Sequence, residues 1–193
     1  MSDIKNRFNE LNELLTKILE DYSTIKIIDS ISKTITEAYR RGNKTVFCGN
    51  GGSAAEAQHL AAELSGKFNI DRAPIPAEAC HVNPSFVTAV SNDYNFTKVY
   101  ARYIEAFCQK GDVLIGLSTS GNSPNIISAF EKASELGVLT VALTGETGGK
   151  LTSLADYIIK IPSTNVPRIQ EIHLLIGHII CETVESTLFE NKK

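Results

Sequence analysis

With 193 residues, 42% of them hydrophobic and 21% charged, the chain can bury one real core and is too short for several domains. A net charge of −3 excludes a strong basic field for holding nucleic acid. The opening MSDIKNRFNE is polar, without the apolar core of a leader peptide, and no stretch reads as apolar enough to span a bilayer, so the expectation is a soluble protein of the cytoplasm.

Two amphipathic helices come first. Phe8, Leu11, Leu15, Ile18 and Leu19 form one apolar stripe, and Ile28, Ile31, Ile35, Ala38 and Tyr39 form another. Arg40-Arg41-Gly42 closes the second helix with cations and a glycine stop. From residue 44 the pattern changes to alternating strand and helix. Thr45–Cys48 reads as a buried strand, followed by Gly49-Asn50-Gly51-Gly52-Ser53 and a helix to about Lys67. Ala77–Val82 is a second strand, then a short helix from Pro84 and another across Phe96–Cys108. Val113–Leu117 is a third strand that runs into Ser118-Thr119-Ser120-Gly121-Asn122-Ser123-Pro124, and a helix to Leu136 follows. Val138–Leu143 and Tyr157–Ile161 complete five strands, with a loop at 144–149 between them, and Pro167 opens a long last helix. Apolar strands joined by helical crossovers predict an α/β fold with a parallel sheet covered on both faces. The four cysteines, Cys48, Cys80, Cys108 and Cys181, have no C-x-x-C spacing and read as reduced, buried thiols.

In such sheets ligands bind beyond the carboxyl ends of the strands. Two polar loops fall there. The glycines of 49–53 allow a tight turn and bring backbone N–H groups close to a ligand, ahead of a helix N-terminus. The same residues match the dinucleotide fingerprint as Gly49-x-Gly51-x-x-Ala54, with Asp71 at about the spacing of a ribose-binding acid, although Lys67–Ile70 is a poor strand. The second loop holds four hydroxyls, on Ser118, Thr119, Ser120 and Ser123, with Ser123 at an N-cap and Pro124 as first helical residue. The four hydroxyls read as an uncharged phosphate cradle, since capping alone accounts for only one of them. Gly145–Lys150 is not a P-loop, because its lysine comes too early and Leu151 stands where a hydroxyl is required.

His59 and Glu63 lie one turn apart on one helix face, a spacing that also suits a plain surface pair. His178 interrupts an apolar run, where a satisfied core histidine is the alternative. His173 reads as core, and His81 has no evident role.

GNGGSA at 49–54, STSGNS at 118–123 and RIQEIH at 168–173, in this order and separation, resemble the phosphoheptose (sedoheptulose 7-phosphate) isomerases, a family of the SIS, or sugar isomerase, fold. The resemblance spans about residues 44–184. It implies a three-layer SIS domain over 43–193, with residues 1–42 as a helical pair of the same unit serving oligomerisation. It further implies a homotetramer and an aldose–ketose isomerisation through an enediol, which supplies heptose for bacterial surface polysaccharide. The implied zinc, one per subunit, would be held by His59, Glu63, Gln170 and His178, with Glu63 and His178 as acid and base. The implied substrate contacts are Asn50, Gly51, Gly52, Glu63, Asn92, Asp93, Ser118, Thr119, Ser120, Ser123 and Gln170. Ser91 and Asn95 replace glycines often seen beside Asn92-Asp93. A relative of that family binds a replication initiator protein instead, and others sense phosphosugars. The initiator-binding relative lacks the matching glutamate and second histidine, which this chain has.

Gln170 and His178 are about 12 Å apart along their helix, whereas zinc ligands reach only about 2.0–2.3 Å. The expectation is therefore that the active site is shared between subunits, with Gln170 and His178 on helices from different chains and Glu63 and His178 acting from different chains.

Overall fold

The computed structural model describes residues 2–189. Two helices, α1 (Ser2–Glu20) and α2 (Tyr22–Arg40), precede the sheet. The helix between them is broken at Asp21, whose carboxylate accepts from Ser23 N and from the Ser23 and Thr24 hydroxyls, so that α2 starts on an N-cap. Arg41 and Gly42 end α2 as expected, with Gly42 at φ 80°. Ile28, Ile31, Ile35 and Ala38 face the core, and Tyr39 packs beside them. The stripe on α1 is rotated from the expected one. Leu14 and Ile18 are buried and Leu11 and Leu15 partly so, but Phe8 and Leu19 are 70% and 73% exposed. The apolar pattern of α1 is too wide for one contact line, so part of it faces outward.

The sheet consists of β1 (Thr45–Gly49), β2 (Ala77–Ala79), β3 (Val113–Ser118), β4 (Leu139–Thr144) and β5 (Tyr157–Lys160), all parallel, in the order β2-β1-β3-β4-β5. Between strands run α3 (Gly52–Ser65), α4 (Pro84–Asp93), α5 (Val99–Phe107) and α6 (Pro124–Leu136), and α7 (Val166–Phe189) ends the described chain. Strand residues alternate between two cores. Phe47, Ile115, Val141 and Ile159 pack under α2, α3 and α7, while Val46, Leu114 and Ala142 pack under α5 and α6. This is the three-layer sandwich the crossovers predicted. The expected β2 is shorter, because beyond Ala79 only Cys80 N still bonds to β1, at Phe47 O, before the chain turns. The expected helix over Phe96–Cys108 starts as a 3₁₀ turn at Phe96–Lys98. Asp71 lies in coil between α3 and β2 and does not end a strand, so the dinucleotide reading loses its ribose-binding acid.

One expectation about the membrane is corrected. α7 is long and apolar enough to cross a bilayer by length and composition, with mean hydropathy 1.3 over its best window. In the fold it is a packing helix. Ile169, Ile172, Ile176, Ile180 and Val184 enter the core against α2 and α3, and the buried His173 and Glu185 are bonded within the protein. Cys48, Cys80 and Cys181 are buried free thiols, and Cys108 is half-buried.

Candidate active site

The two loops of the site lie where β1, β3 and β4 end. The first loop is held by side chains from far along the chain. The Asn50 amide exchanges two hydrogen bonds with the buried Asn125 amide, at 2.9 and 2.8 Å. Tyr100 donates its hydroxyl to Gly49 O. The Asn50 side chain thus ties the first loop to the start of α6, leaving the turn at Gly51 (φ 57°) and the exposed Gly52 facing outward.

The second loop is locked by backbone contact. Gly121 sits at φ 63° against Gly148, and a Cβ at either Gly121 or Gly149 would collide with the facing backbone. Gly145 N donates to Thr119 O at 2.9 Å, Leu151 N to Gly121 O at 3.2 Å, and Lys150 N to the Asn122 side chain at 3.0 Å. The glycines of 145–149, which do not make a P-loop, are therefore what allows the β4 loop to close onto the cradle. Ser123 occupies the N-cap of α6 by position, yet its side chain makes no capping bond. Its hydroxyl lies 3.3 Å from the Ser118 hydroxyl instead. That corrects the expectation that capping uses one of the four hydroxyls. Ser120 accepts from Asn122 N at 3.2 Å and so shapes the turn. A groove of about 260 Å³ opens beside this loop, lined by Thr119, Ser120, Asn122, Glu146, Ser163 and Ile169.

The ionisable side chains stand on α3 and α7. These helices run parallel, since both follow strands of one parallel sheet and pack on the same face. Gln170 meets Gly52 and Ser53, and seven residues on Gly177 meets Leu60, where any Cβ at Gly177 would collide with the leucine. This register carries His178 to His59. Their Nε2 atoms are 2.9 Å apart, and His59 Nε2 is 3.1 Å from Glu63 Oε1. His59, Glu63 and His178 thus form one cluster inside a single chain. The expectation that Glu63 and His178 need two subunits is corrected, because the partner of His178 is the neighbouring parallel helix. The distance argument applies to Gln170 alone. Its Nε2 lies 3.4 Å from Ser53 Oγ, about 9 Å along α3 from His59 at the helical rise.

Two imidazole nitrogens and a carboxylate oxygen aimed at one point suit a metal ion. Two neutral imidazoles at 2.9 Å can share only one hydrogen between them, whereas both lone pairs can be used by a cation. The half-exposed His59 and the open side of the cluster leave room for a further ligand.

Other expected residues fall elsewhere. Asn92 and Asp93 end α4, exposed, with the Asn92 amide donating to Asp93 at 2.9 Å. His173 is buried, bonded through Nε2 to Thr144 O at 3.2 Å, and burial pushes it down to about 4, so it is a neutral core group. His81 has a buried, unpartnered Nδ1, and burial lowers its pKa.

One residue was overlooked. Glu56 falls on the stripe of α3 that carries His59 and Glu63, and one of its carboxyl oxygens is buried without a partner. Burial pushes this carboxyl up to about 7, opposed by the Ser53 hydroxyl. The 56-59-63 spacing was the signal that could have found it.

The SIS domain family model matches residues 8–145. The phosphoheptose isomerase of Clostridium acetobutylicum is 48% identical over 180 residues, 93% of this chain and 92% of that protein. Phosphoheptose isomerase 2 of Campylobacter jejuni is 46% identical, covering 97% of this chain and 94% of the relative. This chain belongs to the phosphoheptose isomerases. The solved structure of phosphoheptose isomerase GmhA from Neisseria gonorrhoeae superposes with a TM-score of 0.90 at 34% identity, covering 96% of this chain and 98% of that one. A family member from Francisella tularensis gives the same TM-score, 0.90, at 33% identity. As a member of this family the chain is an isomerase, with an SIS domain built on a five-stranded parallel sheet.

Proposed function

We propose that this isomerase interconverts sedoheptulose 7-phosphate and D-glycero-D-manno-heptose 7-phosphate, for the heptose of a bacterial surface polysaccharide. The observation that carries the reading is the meeting of His59, Glu63 and His178 at one point, in a chain whose 118–123 loop is also a hydroxyl-rich, lysine-free anion cradle.

Ser118, Thr119, Ser120 and Ser123 receive the phosphate, with the N-terminus of α6 behind them. Gly51 and Gly52 let the sugar approach the first loop, and Gln170 hydrogen-bonds substrate oxygens near the start of α3. Asn92 and Asp93 contact the distal hydroxyls. Asn50 holds the first loop in place through Asn125 and offers its backbone.

The reaction moves one proton between neighbouring carbons, C1 and C2, through an enediol. It needs one group to take a carbon-bound proton and another to move a proton between the two oxygens. Glu63 and His178 take these parts, and the His59 ring orients both by direct contact. His59, Glu63 and His178 would hold a zinc ion, with Gln170 contributing if the substrate draws its amide toward them. The chemistry a bound zinc supplies is Lewis-acid polarisation of the substrate oxygens.

The exposed Phe8, Leu19 and Tyr22, with Leu175 and Ile179 on α7, offer apolar surface for further copies of the chain. A homotetramer in the cytoplasm fits this surface. Residues 2–42 then belong to the same folded unit as the SIS domain, to which Arg168 ties α1 through Arg7 O, residue 1 lying outside the described residues.

The test is direct. Purified protein is incubated with sedoheptulose 7-phosphate and the products are followed by NMR. Appearance of the aldose phosphate is the expected result. No aldose from folded, zinc-supplemented protein would overturn the reading.

A further inference from the structure

A heavily bonded buried ion pair lies outside the site, and no catalytic step uses it. The side chains of Arg72 and Glu185 are 2% and 1% exposed. Arg72 Nε donates to Glu185 Oε1 at 2.8 Å. The other glutamate oxygen accepts from the backbone N–H groups of Asn69, at 2.8 Å, and Ile70, at 3.2 Å. The remaining arginine donors go to main-chain carbonyls, three of them where α3 ends and one at the neighbouring Ala73. Nη2 donates to Glu63 O at 2.9 Å, and Nη1 to Leu64 O at 2.9 Å, Gly66 O at 3.0 Å and Ala73 O at 3.1 Å. Carbonyls at a helix C-terminus have no partner within the helix, and a cation there also complements the dipole.

The geometry joins this pair to the chemical cluster at three points. Arg72 bonds to the main chain of Glu63 itself. Glu185 stands on α7, about two turns beyond His178. The loop that Glu185 grips carries Phe68, whose ring stacks on the His178 imidazole with centroids 5.8 Å apart and planes at 21°. His178 therefore has Phe68 against its ring face and His59 at its Nε2.

A buried ion pair is weak support for stability, because well-packed apolar residues often serve as well or better. Its bonds are directional, however, and here they fix the end of α3 relative to α7. The cluster is assembled from these two helices, so a small slip between them separates Glu63 from His178. Misplacement by about 1 Å can lower a rate by about 10²-fold.

We propose that Arg72 and Glu185 are positioning residues of the isomerase site: the pair locks the register of α3 against α7 and presses Phe68 onto His178. The proposal rests on the isomerase reading for its effect on rate, and on the His59–Glu63–His178 cluster for its effect on metal affinity.

The experiment compares wild type, the double variant Arg72→Met/Glu185→Leu, which strands no buried charge, and Phe68→Ala, which leaves the ion pair intact. Circular dichroism and thermal melting establish that each is folded. In both variants kcat is expected to fall at least tenfold with KM for the phosphosugar changed less than about twofold, since the cradle lies at the other end of the helices. Zinc affinity, measured by competition with a chelating dye, is expected to fall about tenfold in the double variant, in the range seen when partners of metal ligands are removed. Wild-type kcat and zinc affinity in the folded double variant would overturn the proposal, as would a rise in KM with kcat unchanged. If the wild type itself fails to turn over sedoheptulose 7-phosphate, the isomerase reading falls, and zinc affinity alone decides for or against the pair. If the double variant does not fold, Phe68→Ala and Arg72→Lys decide by the same two measurements, since lysine keeps the charge but cannot reach all four carbonyls.

Discussion

The proposed phosphate cradle and the α3–α7 cluster lie toward opposite ends of α3 and are built on different principles. The cradle is a backbone structure. Gly121, Gly145 and Gly149 let two loops touch main chain to main chain, and the hydroxyls of Ser118 and Ser123 face each other across the result. The cluster is a side-chain structure, in which His59, Glu63 and His178 project from two regular helices and meet only because those helices are parallel and in register. A loop that grips a phosphate with neutral donors can hold it without ever titrating. Groups that move protons have to titrate, and helices fix their positions while leaving them open to substrate. Binding and chemistry are therefore expected to fail separately under mutation.

The largest effect is expected in the cluster. If Glu63 and His178 carry the proton transfer as proposed, Glu63→Gln or His178→Asn removes a group needed in the transition state, and kcat should fall by roughly 10²–10⁴. KM should stay near its wild-type value, because the cradle is untouched. Steady-state kinetics on folded variants checks this, and near-wild-type kcat in both would remove them from the chemistry.

The cradle should show the reverse pattern. Thr119→Val keeps the shape and deletes one donor to a charged ligand, which is worth about 1.5–3 kcal/mol. KM for the phosphosugar should rise roughly tenfold or more, with kcat little changed. If the KM values of Thr119→Val and Ser120→Ala match wild type, the phosphate binds elsewhere.

A third region serves as the control for the other two. Asp112, with no exposed side-chain surface, sits at the start of β3, the opposite end from the cradle, and accepts from Lys44 Nζ at 2.6 Å, Lys44 N at 3.0 Å, Gln109 N at 2.9 Å and Asn43 Nδ2 at 3.1 Å. Burial works to raise its pKa, but these donors outweigh burial and hold the carboxyl below its ordinary range. A depressed carboxyl contributes stability that is present above the unfolded pKa of about 4 and is lost as pH falls through the folded value. Between pH 5 and pH 2, Asp112→Asn should therefore lose less urea stability than wild type. Its kcat and KM at neutral pH should be unaltered. Parallel pH dependence in the two proteins would show that Asp112 is not part of the acid response.

Much of this was legible in the sequence, for a physical reason. Strands such as Val113–Ser118 are short apolar runs bounded by polar turns. Local pattern was enough there. It failed where partners are distant in sequence or share a surface. The Asn50–Asn125 amide pair spans 75 residues and the Arg72–Glu185 pair 113. Nothing in either stretch alone points to the other. The rotation of α1 was also hidden, because an apolar stripe shows that surface must be covered without showing whether the cover is the same chain or another. In α7 the apolar run that passes for a membrane span belongs to a helix packed on two neighbours at once.

The smallest expected effect is none, and it tests the central geometric claim. Glu63→Gln protein and His178→Asn protein, each inactive, are dissociated, mixed and reassembled. Were the two residues to act from different subunits, some sites in the hybrids would carry both intact groups and activity would return. In this fold both stand in one chain, linked through His59 at 2.9 and 3.1 Å. Every site in a hybrid then lacks one of them whatever the neighbouring subunit supplies. The expected outcome is no recovery, with mixed assembly shown by native mass spectrometry and with a wild-type and double-variant mixture as the positive control for reassembly. Recovery well above the parents would mean that the α3–α7 contact within one chain is not the working one. Gln170, which the same helix holds about 12 Å away along its axis, provides the contrast. If Gln170→Ala and Glu63→Gln proteins do complement each other while the Glu63 and His178 pair does not, then the cluster is made within one chain and only Gln170 reaches a neighbour's site.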